Sequence, residues 1–148
     1  MTNYISLMIF VILFSSCKKD SINQNTTKHP DLVATSIVMP ATASPGSSIT
    51  VTYDDRNDGE ASATNFKIRV YLSTTSDLTG TLYQIYERTV TATCPPGWVD
   101  TDAPTVVIPN TVPNGNYFGI MRLDPTNVIA ETNENNNYVA TSSQITIN

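Results

Sequence analysis

From Leu32 to the C-terminus, apolar and polar residues alternate in short runs with a period of two. In the clearest run, residues 66–73, every second position is apolar: Phe66, Ile68, Val70 and Leu72. Such alternation predicts a β-strand with one face on a core and the other in water. No window keeps apolar residues at helical spacing over three turns, so the pattern favours strands throughout.

Residues typical of turns separate these runs: Pro45-Gly46, Asn57-Asp58-Gly59, Pro95-Pro96-Gly97, Pro113-Asn114-Gly115 and Asp124-Pro125. They supply fixed or positive φ angles, or local side-chain hydrogen bonds. The predicted strands cover residues 32–39, 47–55, 65–74, 81–90, 104–109, 115–124 and 137–147. Seven short strands with frequent turns in about 115 residues predict an all-β fold, an immunoglobulin-like seven-stranded antiparallel β-sandwich.

The first sixteen residues differ from the rest of the chain. Residues 5–14 are apolar except for one serine. This run is shorter than the roughly 20 residues that span a bilayer, and it is typical of the central region of a secretory signal peptide. Phe14-Ser15-Ser16-Cys17 then resembles a lipobox, which implies cleavage before Cys17 and a diacylglyceryl group on its thiol. The alternative is an ordinary signal peptide with an incidental cysteine.

These features divide the chain into a signal peptide (1–16), a lipidated Cys17 with a polar tether (17–30), and one domain (31–148). The segment from Lys18 to Pro30 has too few large apolar groups to fold by itself. Acyl chains on Cys17 would anchor the protein to a membrane. We therefore expect a location in the cell envelope, at the outer membrane of a Gram-negative bacterium, on its periplasmic or its outer side.

Charge excludes one class of partner. The whole chain has a formal net charge of −5, and the part from Asp31 onward carries twelve acidic residues against five basic ones. Such a domain repels phosphate backbones, so we expect no nucleic-acid binding.

Residues for catalysis are scarce. The only histidine, His29, lies in the tether, so the domain lacks the material for a Ser–His or Cys–His site or a zinc site. Asp54 and Asp55 are neighbours on a strand and face opposite ways, whereas Asp100 and Asp102 share a face only if that stretch is extended. Cys94 has no partner once Cys17 is acylated, and we expect it to be buried. We predict a protein that is not an enzyme and has no cofactor, calcium being the one candidate ion.

The domain resembles a known family in two patterns of residues. The opening pattern is Asp31-Leu32-Val33, Pro45-Gly46-Ser47 and Asn57-Asp58-Gly59. The closing pattern is Pro113-Asn114-Gly115-Asn116-Tyr117, followed by Asp124, Val128, Glu131, Asn133-Glu134 and Asn136-Asn137. Over nearly all of 31–147 the chain resembles CARDB, the cell-adhesion-related domain found in bacteria. This resemblance implies a seven-stranded sandwich and an extracellular, adhesion- or ligand-associated role. Residues 91–102 depart from the family pattern and are the best candidate for individual specificity.

Two interpretations are open for the Asn-rich turn at residues 133–137. Asn tolerates left-handed φ and bonds its own backbone, so the turn is most simply a stitched connection. The sharper hypothesis is a calcium site with oxygen ligands from Asp124, Glu131, Asn133, Glu134 and Asn136.

Aromatic residues raise a second question. Trp98 either plugs the end of the sandwich or stands exposed as a stacking platform for a sugar or peptide, joined by Tyr71, Tyr83 and Tyr86 if they share an outer face. Three hypotheses for function follow: a binding or adhesion module that contacts an envelope protein or glycan, a carbohydrate-binding accessory lipoprotein, and a structural envelope component without a small ligand.

Overall fold

In a computed structural model of the protein, residues 27–148 are described, and they form an all-β, immunoglobulin-like sandwich. Cys17 and the signal peptide lie outside these residues. The strands are β1 (Leu32–Val38), β2 (Thr42–Ala43), β3 (Ser48–Thr50), β4 (Thr52–Asn57), β5 (Phe66–Ser73), β6 (Leu82–Val90), β7 (Val99–Asp102), β8 (Thr105–Val107), β9 (Gly115–Leu123), β10 (Tyr138–Ala140) and β11 (Ile145–Ile147). Within residues 27–148, no helix is long and apolar enough to cross a bilayer.

The strands pair into two main sheets. The small sheet has the order β1-β4-β7, and the large sheet has the order β2-β11-β9-β5-β6, with β10 also paired to β9. A further pair, β3 and β8, continues the β4–β7 ladder beyond Val51, whose N–H donates to the Pro104 carbonyl at 3.1 Å. Neighbouring strands are antiparallel except β2 and β11.

Apolar side chains from both sheets fill the space between them. On β5 the four positions with period two, Phe66, Ile68, Val70 and Leu72, are fully buried, as the sequence predicts. They pack with residues of the small sheet, such as Leu32 and Tyr53, and of β9, such as Met121 and Leu123. Cys94, the free cysteine of this part of the chain, is buried in the same core, also as expected.

Each predicted strand contains a strand of the structure, but two are divided. The run 47–55 breaks at Val51 into β3 and β4, and the run 137–147 breaks into β10 and β11. The short β2 was not predicted, because two residues carry no detectable alternation. It forms because the backbone at Thr42 and Ala43 reaches β11 and pairs with it.

One expectation needs correction. Residues 91–102 were predicted to be a connection, yet their last part forms β7, which pairs with β4 from Arg56↔Val99 to Tyr53↔Asp102. Two aspartates in four residues give this stretch low strand propensity, so the strand depends on the β4 edge beside it.

A pair of substitutions tests where the core lies. Ile68 is 0% exposed and Val128 is 61% exposed. We expect Ile68→Ala to lower the free energy of unfolding by about 2–5 kcal/mol, because it leaves a cavity between the sheets. Val128→Ala should change it by less than about 0.5 kcal/mol. Urea denaturation measures both, and similar losses for the two variants would contradict the described packing.

Candidate functional site

One end of the sandwich gathers four segments around the point where the chain enters the domain. We call it the basal end, and it consists of residues 27–31, 57–61, 91–98 and 124–137. The N–H of Glu60 donates to the His29 carbonyl at 2.9 Å, and the N–H of Thr132 donates to the Pro30 carbonyl at 2.9 Å. A Cβ on Gly59 would lie 2.4 Å from the Pro30 carbonyl carbon, so only glycine lets this turn pack there.

Asn57 joins three of these segments through its side chain, which is fully buried. Its Oδ1 accepts hydrogen bonds from the N–H groups of Asp31 and Gly59, both at 3.0 Å. Its Nδ2 donates to the carbonyls of Ala61 and Cys94, both at 2.8 Å. Both amide hydrogens and both acceptor positions are therefore used. The sequence indicated only a turn residue at this position.

Glu131 anchors the Asn-rich turn to the first strand. Its Oε2 accepts from the N–H of Leu32 at 2.5 Å, and its Oε1 accepts from Nδ2 of Asn137 at 2.6 Å. The pKa of this carboxyl is raised to about 7, mainly because the group is buried; the two hydrogen bonds oppose the rise, and the carboxylates of Glu134 and Asp124 contribute to it. Three acidic groups are thus close enough to affect one another.

The other predicted calcium ligands also take part in local hydrogen bonds. Oε1 of Glu134 accepts from the N–H of Glu131 at 2.9 Å, and Oδ1 of Asn133 accepts from the N–H of Asn135 at 3.1 Å. Nδ2 of Asn136 donates to Oδ1 of Asp31 at 2.8 Å. These bonds stitch the turn as its first interpretation expects. Among residues 27–148, no group of three or more His, Cys, Asp or Glu side chains could hold a metal ion.

Asp124 is brought to the same turn and has a left-handed backbone, with φ of 37°. Its Oδ2 accepts from the N–H of Ile129 at 2.7 Å. Its Oδ1 is buried and has no hydrogen-bond partner in the described part of the chain, and the same holds for Oδ1 of Asn136 and Oδ1 of Asn137. Asn137 belongs to the closing pattern of the sequence but was not among the predicted ligands.

The four aromatic residues do not form one surface. Tyr83 and Tyr86 pair with Leu72 and Val70 on β5 and pack against the core, whereas Tyr71 lies between these β5 positions and faces the other side of the sheet. The ring of Tyr83 meets the ring of Tyr117 edge-on, with centroids 5.7 Å apart. A bulge between Val70 and Tyr71 changes the alternation of β6, and it has no signature in the sequence.

Trp98 is half-buried and packs against the core at the edge of β7. Its carbonyl accepts from the N–H of Asn57 at 2.9 Å, so its backbone is fixed to the basal end. Beside it lies a pocket of about 310 Å³, lined also by Arg88 and Asp100. Of the four aromatic residues that the sequence suggested for binding, Trp98 is the one that lines this pocket.

A polar cluster between the two sheets was missed by sequence reasoning. Asp55 is 0% exposed, and neither of its carboxylate oxygens has a hydrogen-bond partner in the described part of the chain. It faces Asp100 across the β4–β7 ladder. Arg88 of the large sheet forms salt bridges with Asp102 and, with Nη2 and Oδ2 3.7 Å apart, with Asp100. The O–H of Tyr53 also donates to Oδ2 of Asp102, at 3.1 Å.

Asp55 keeps its proton at neutral pH more readily than an ordinary aspartate. Its pKa is raised to about 7, mainly because the group is buried; the neighbouring Asp100 carboxylate contributes to the rise, and Arg88 opposes it. Asp54, on the other face of β4, has a lowered pKa because the hydroxyls of Ser36 and Thr101 donate to it. The predicted opposite orientation of the two aspartates is confirmed. Polar residues at alternate positions of β4, ending in Asn57, were the available signal for a buried polar face.

The opposite end of the sandwich carries a more apolar pocket. We call it the distal end, and its pocket of about 580 Å³ is lined by residues that include Val38, Met39, Ala43 and Ile49. Val38 is exposed, and the nearby strand β2 lies at the edge of the large sheet.

Comparison with known proteins identifies the family. The sequence model of CARDB matches residues 29–141. Among solved structures, the chain is similar to the CARDB domain of a Pyrococcus furiosus protein in complex with di-metal ions, with a TM-score of 0.58 and 23% identity over 82% of this chain and 96% of that one. It is also similar to domain 272–376 of a Methanosarcina acetivorans "putative cell surface protein", with a TM-score of 0.55 and 22% identity over 81% and 93% of the two chains. At these identities the similarity shows the fold. No curated protein matches the chain.

The buried carboxyl of Asp55 predicts how stability depends on pH. Its pKa rises from 3.8 in the unfolded chain to about 7 in the fold, so the folded state binds more protons between these values. Stability that Asp55 contributes at low pH is therefore lost as the pH rises through this window. Between pH 5 and pH 8 we expect the free energy of unfolding to fall by about 1–3 kcal/mol less in Asp55→Asn than in the wild type. Urea denaturation at each pH measures the difference.

Asp54→Asn is the matched control. Its carboxyl has a lowered pKa, so it is ionised at both pH values. Its charge is the smallest contribution to the raised pKa of Asp55, so its loss should change the pH dependence far less than Asp55→Asn does. Equal pH dependence in the wild type and Asp55→Asn would contradict the buried, proton-binding carboxyl.

Proposed function

Because the chain belongs to the CARDB family, we propose that it is an exported, lipid-anchored protein of the cell envelope whose single domain binds a protein or glycan partner without catalysing a reaction. The family match over 29–141 is the observation that carries this proposal. A domain of this family on a lipid anchor is suited to binding at the cell surface.

The anchor is proposed from the sequence. The apolar run at 5–14, the small residues before Cys17 and the charged residues after it are typical of a lipoprotein signal. Two or more acyl chains on Cys17 would hold the protein stably at a membrane, whereas one chain binds only marginally.

The position of the tether supports a particular presentation of the domain. Residues 27–31 enter at the basal end, where His29 and Pro30 are hydrogen-bonded to the loops. An anchor at Cys17 would keep this end nearer to the membrane. The distal end, with its pocket beside Val38 and Met39, would then be the more accessible one to a partner.

Charge supports a protein or glycan partner over a nucleic acid. The domain carries twelve acidic residues and five basic ones from Asp31 onward. Its surface attracts cations and basic protein patches, and it repels phosphate backbones.

Replacement of the anchoring cysteine tests the first half of the proposal. We expect Cys17→Ser to move the protein from the membrane fraction to the soluble fraction, because the thiol that would carry the lipid is gone. Immunoblots of fractionated cells measure this shift. Cys94→Ser is the matched control, because the Cys94 thiol is buried in the core. This substitution should leave the amount of protein in the membrane fraction unchanged. A Cys17→Ser protein that stays with the membrane would contradict the anchor.

The same strains test the binding role. Protease added to intact cells should cleave the wild-type domain if it faces a partner outside the cell, and lack of cleavage would count against adhesion. A glycan array with the purified protein separates the two classes of partner, because a binder of proteins alone should leave the array empty.

A further inference from the structure

A pocket beside the Asn-rich turn is lined by two residues whose buried side-chain oxygens have no donor within residues 27–148. It has a volume of about 440 Å³, and its lining includes Asp124, Glu134, Asn137, Arg122 and Tyr138. The loop after β9 and the start of β10 form it, so it lies on the side of the large sheet at the basal end.

Two of these side chains are almost completely buried and incompletely paired. Asp124 is 4% exposed and Asn137 is 7% exposed, and Oδ1 of each has no hydrogen-bond partner in residues 27–148. Their other polar atoms are used, Oδ2 of Asp124 by the N–H of Ile129 and Nδ2 of Asn137 by Glu131. A buried acceptor without a partner destabilises the fold, so a bound group that satisfies both oxygens would stabilise it.

Net charge distinguishes a cation from a water molecule. Asp124 and Glu134 both line the pocket, and both side chains end in a carboxyl group. A neutral water could donate to the two oxygens but would leave this negative charge in place. A cation satisfies the oxygens and also relieves the repulsion among the carboxylates.

We propose that this pocket binds a calcium ion through Oδ1 of Asp124, Oδ1 of Asn137 and the carboxylate of Glu134, with water molecules as the remaining ligands. All three side chains offer oxygen, which hard cations prefer, and Ca²⁺ accepts irregular geometry more readily than Mg²⁺. Histidine and cysteine are absent from the lining, which makes the pocket unsuited to zinc.

This ligand set differs from the one that the sequence suggests. Both carboxylate oxygens of Glu131 accept hydrogen bonds, and Oδ1 of Asn133 accepts one from its own loop. Glu134 differs, because only its Oε1 accepts a hydrogen bond from the described residues. Asn136 does not line the pocket. The site therefore keeps Asp124 and Glu134 from the predicted set and gains Asn137.

Arg122 gives the proposal an unusual test. It lines the same pocket and forms no salt bridge with the described residues. Its positive charge opposes a bound cation. Removing that charge should therefore strengthen binding, which a merely structural role of the turn would not explain.

The experiment titrates the purified full-length chain with CaCl₂ in a calorimeter and with TbCl₃ by luminescence, with Tyr138 as the nearby sensitiser. We expect a dissociation constant for Ca²⁺ of about 0.1–1 mM, as in extracellular modules. Asp124→Asn and Glu134→Gln should each weaken Ca²⁺ binding at least about tenfold, the effect of losing a charged ligand. Arg122→Gln should strengthen it, and Tyr138→Phe should reduce terbium emission while leaving the calorimetric affinity unchanged.

Glu60→Gln is the control, because Glu60 is an exposed acid of the basal end outside this pocket. It should leave the affinity unchanged. Glu134 is exposed, so Glu134→Gln should fold normally, which circular dichroism checks. Absence of saturable Ca²⁺ binding up to about 10 mM would overturn the proposal. Equal weakening by Glu60→Gln and Glu134→Gln would overturn it too, since that result indicates diffuse attraction to an acidic surface.

Discussion

The buried amide of Asn57 is the interaction on which the basal end depends. It bonds the entering chain at Asp31, the turn at Gly59 and Ala61, and the carbonyl of Cys94. No apolar side chain could replace it, because it satisfies four backbone groups that would otherwise be buried without partners. The point where the tether enters and the connection that leads to Trp98 are thus fixed relative to each other.

The same face of β4 explains how the two sheets are linked. Along this strand Tyr53, Asp55 and Asn57 all point inward and all are polar. Tyr53 donates to Asp102, which forms a salt bridge with Arg88 of the large sheet, so polar contacts connect the edges of both sheets. Asp55 is the exception, since it is buried without a hydrogen-bond partner among residues 27–148 and burial raises its pKa. Polar contacts of this kind favour one arrangement of the loops, whereas apolar packing supplies most of the stability.

The sequence predicted the fold better than the site. Alternation at 66–73 identified β5 because one face of that strand is wholly apolar, and the closing pattern around Asp124 and Glu131 indicated a stitched turn. By contrast, β7 depends on its pairing with β4, a non-local contact that local propensity does not record. The separation of Tyr71 from Tyr83 follows from the pairing of β5 with β6 and was equally hidden. The sequence also could not show that Oδ1 of Asn137 lacks a donor among the described residues. Three-dimensional packing alone decides which acceptors of the Asn-rich turn are paired.

Amide hydrogen exchange measured by NMR on Asn57→Ala and on the wild type tests the central role of this side chain most directly. We predict faster exchange in the variant at Asp31 and Gly59, whose N–H groups bond to the Asn57 side chain, and at Gly97 in the attached connection. Protection should persist at Ile108 and Gly119, whose bonds lie away from the basal end. Unchanged protection at the basal amides, or an equal loss throughout the domain, would contradict the account.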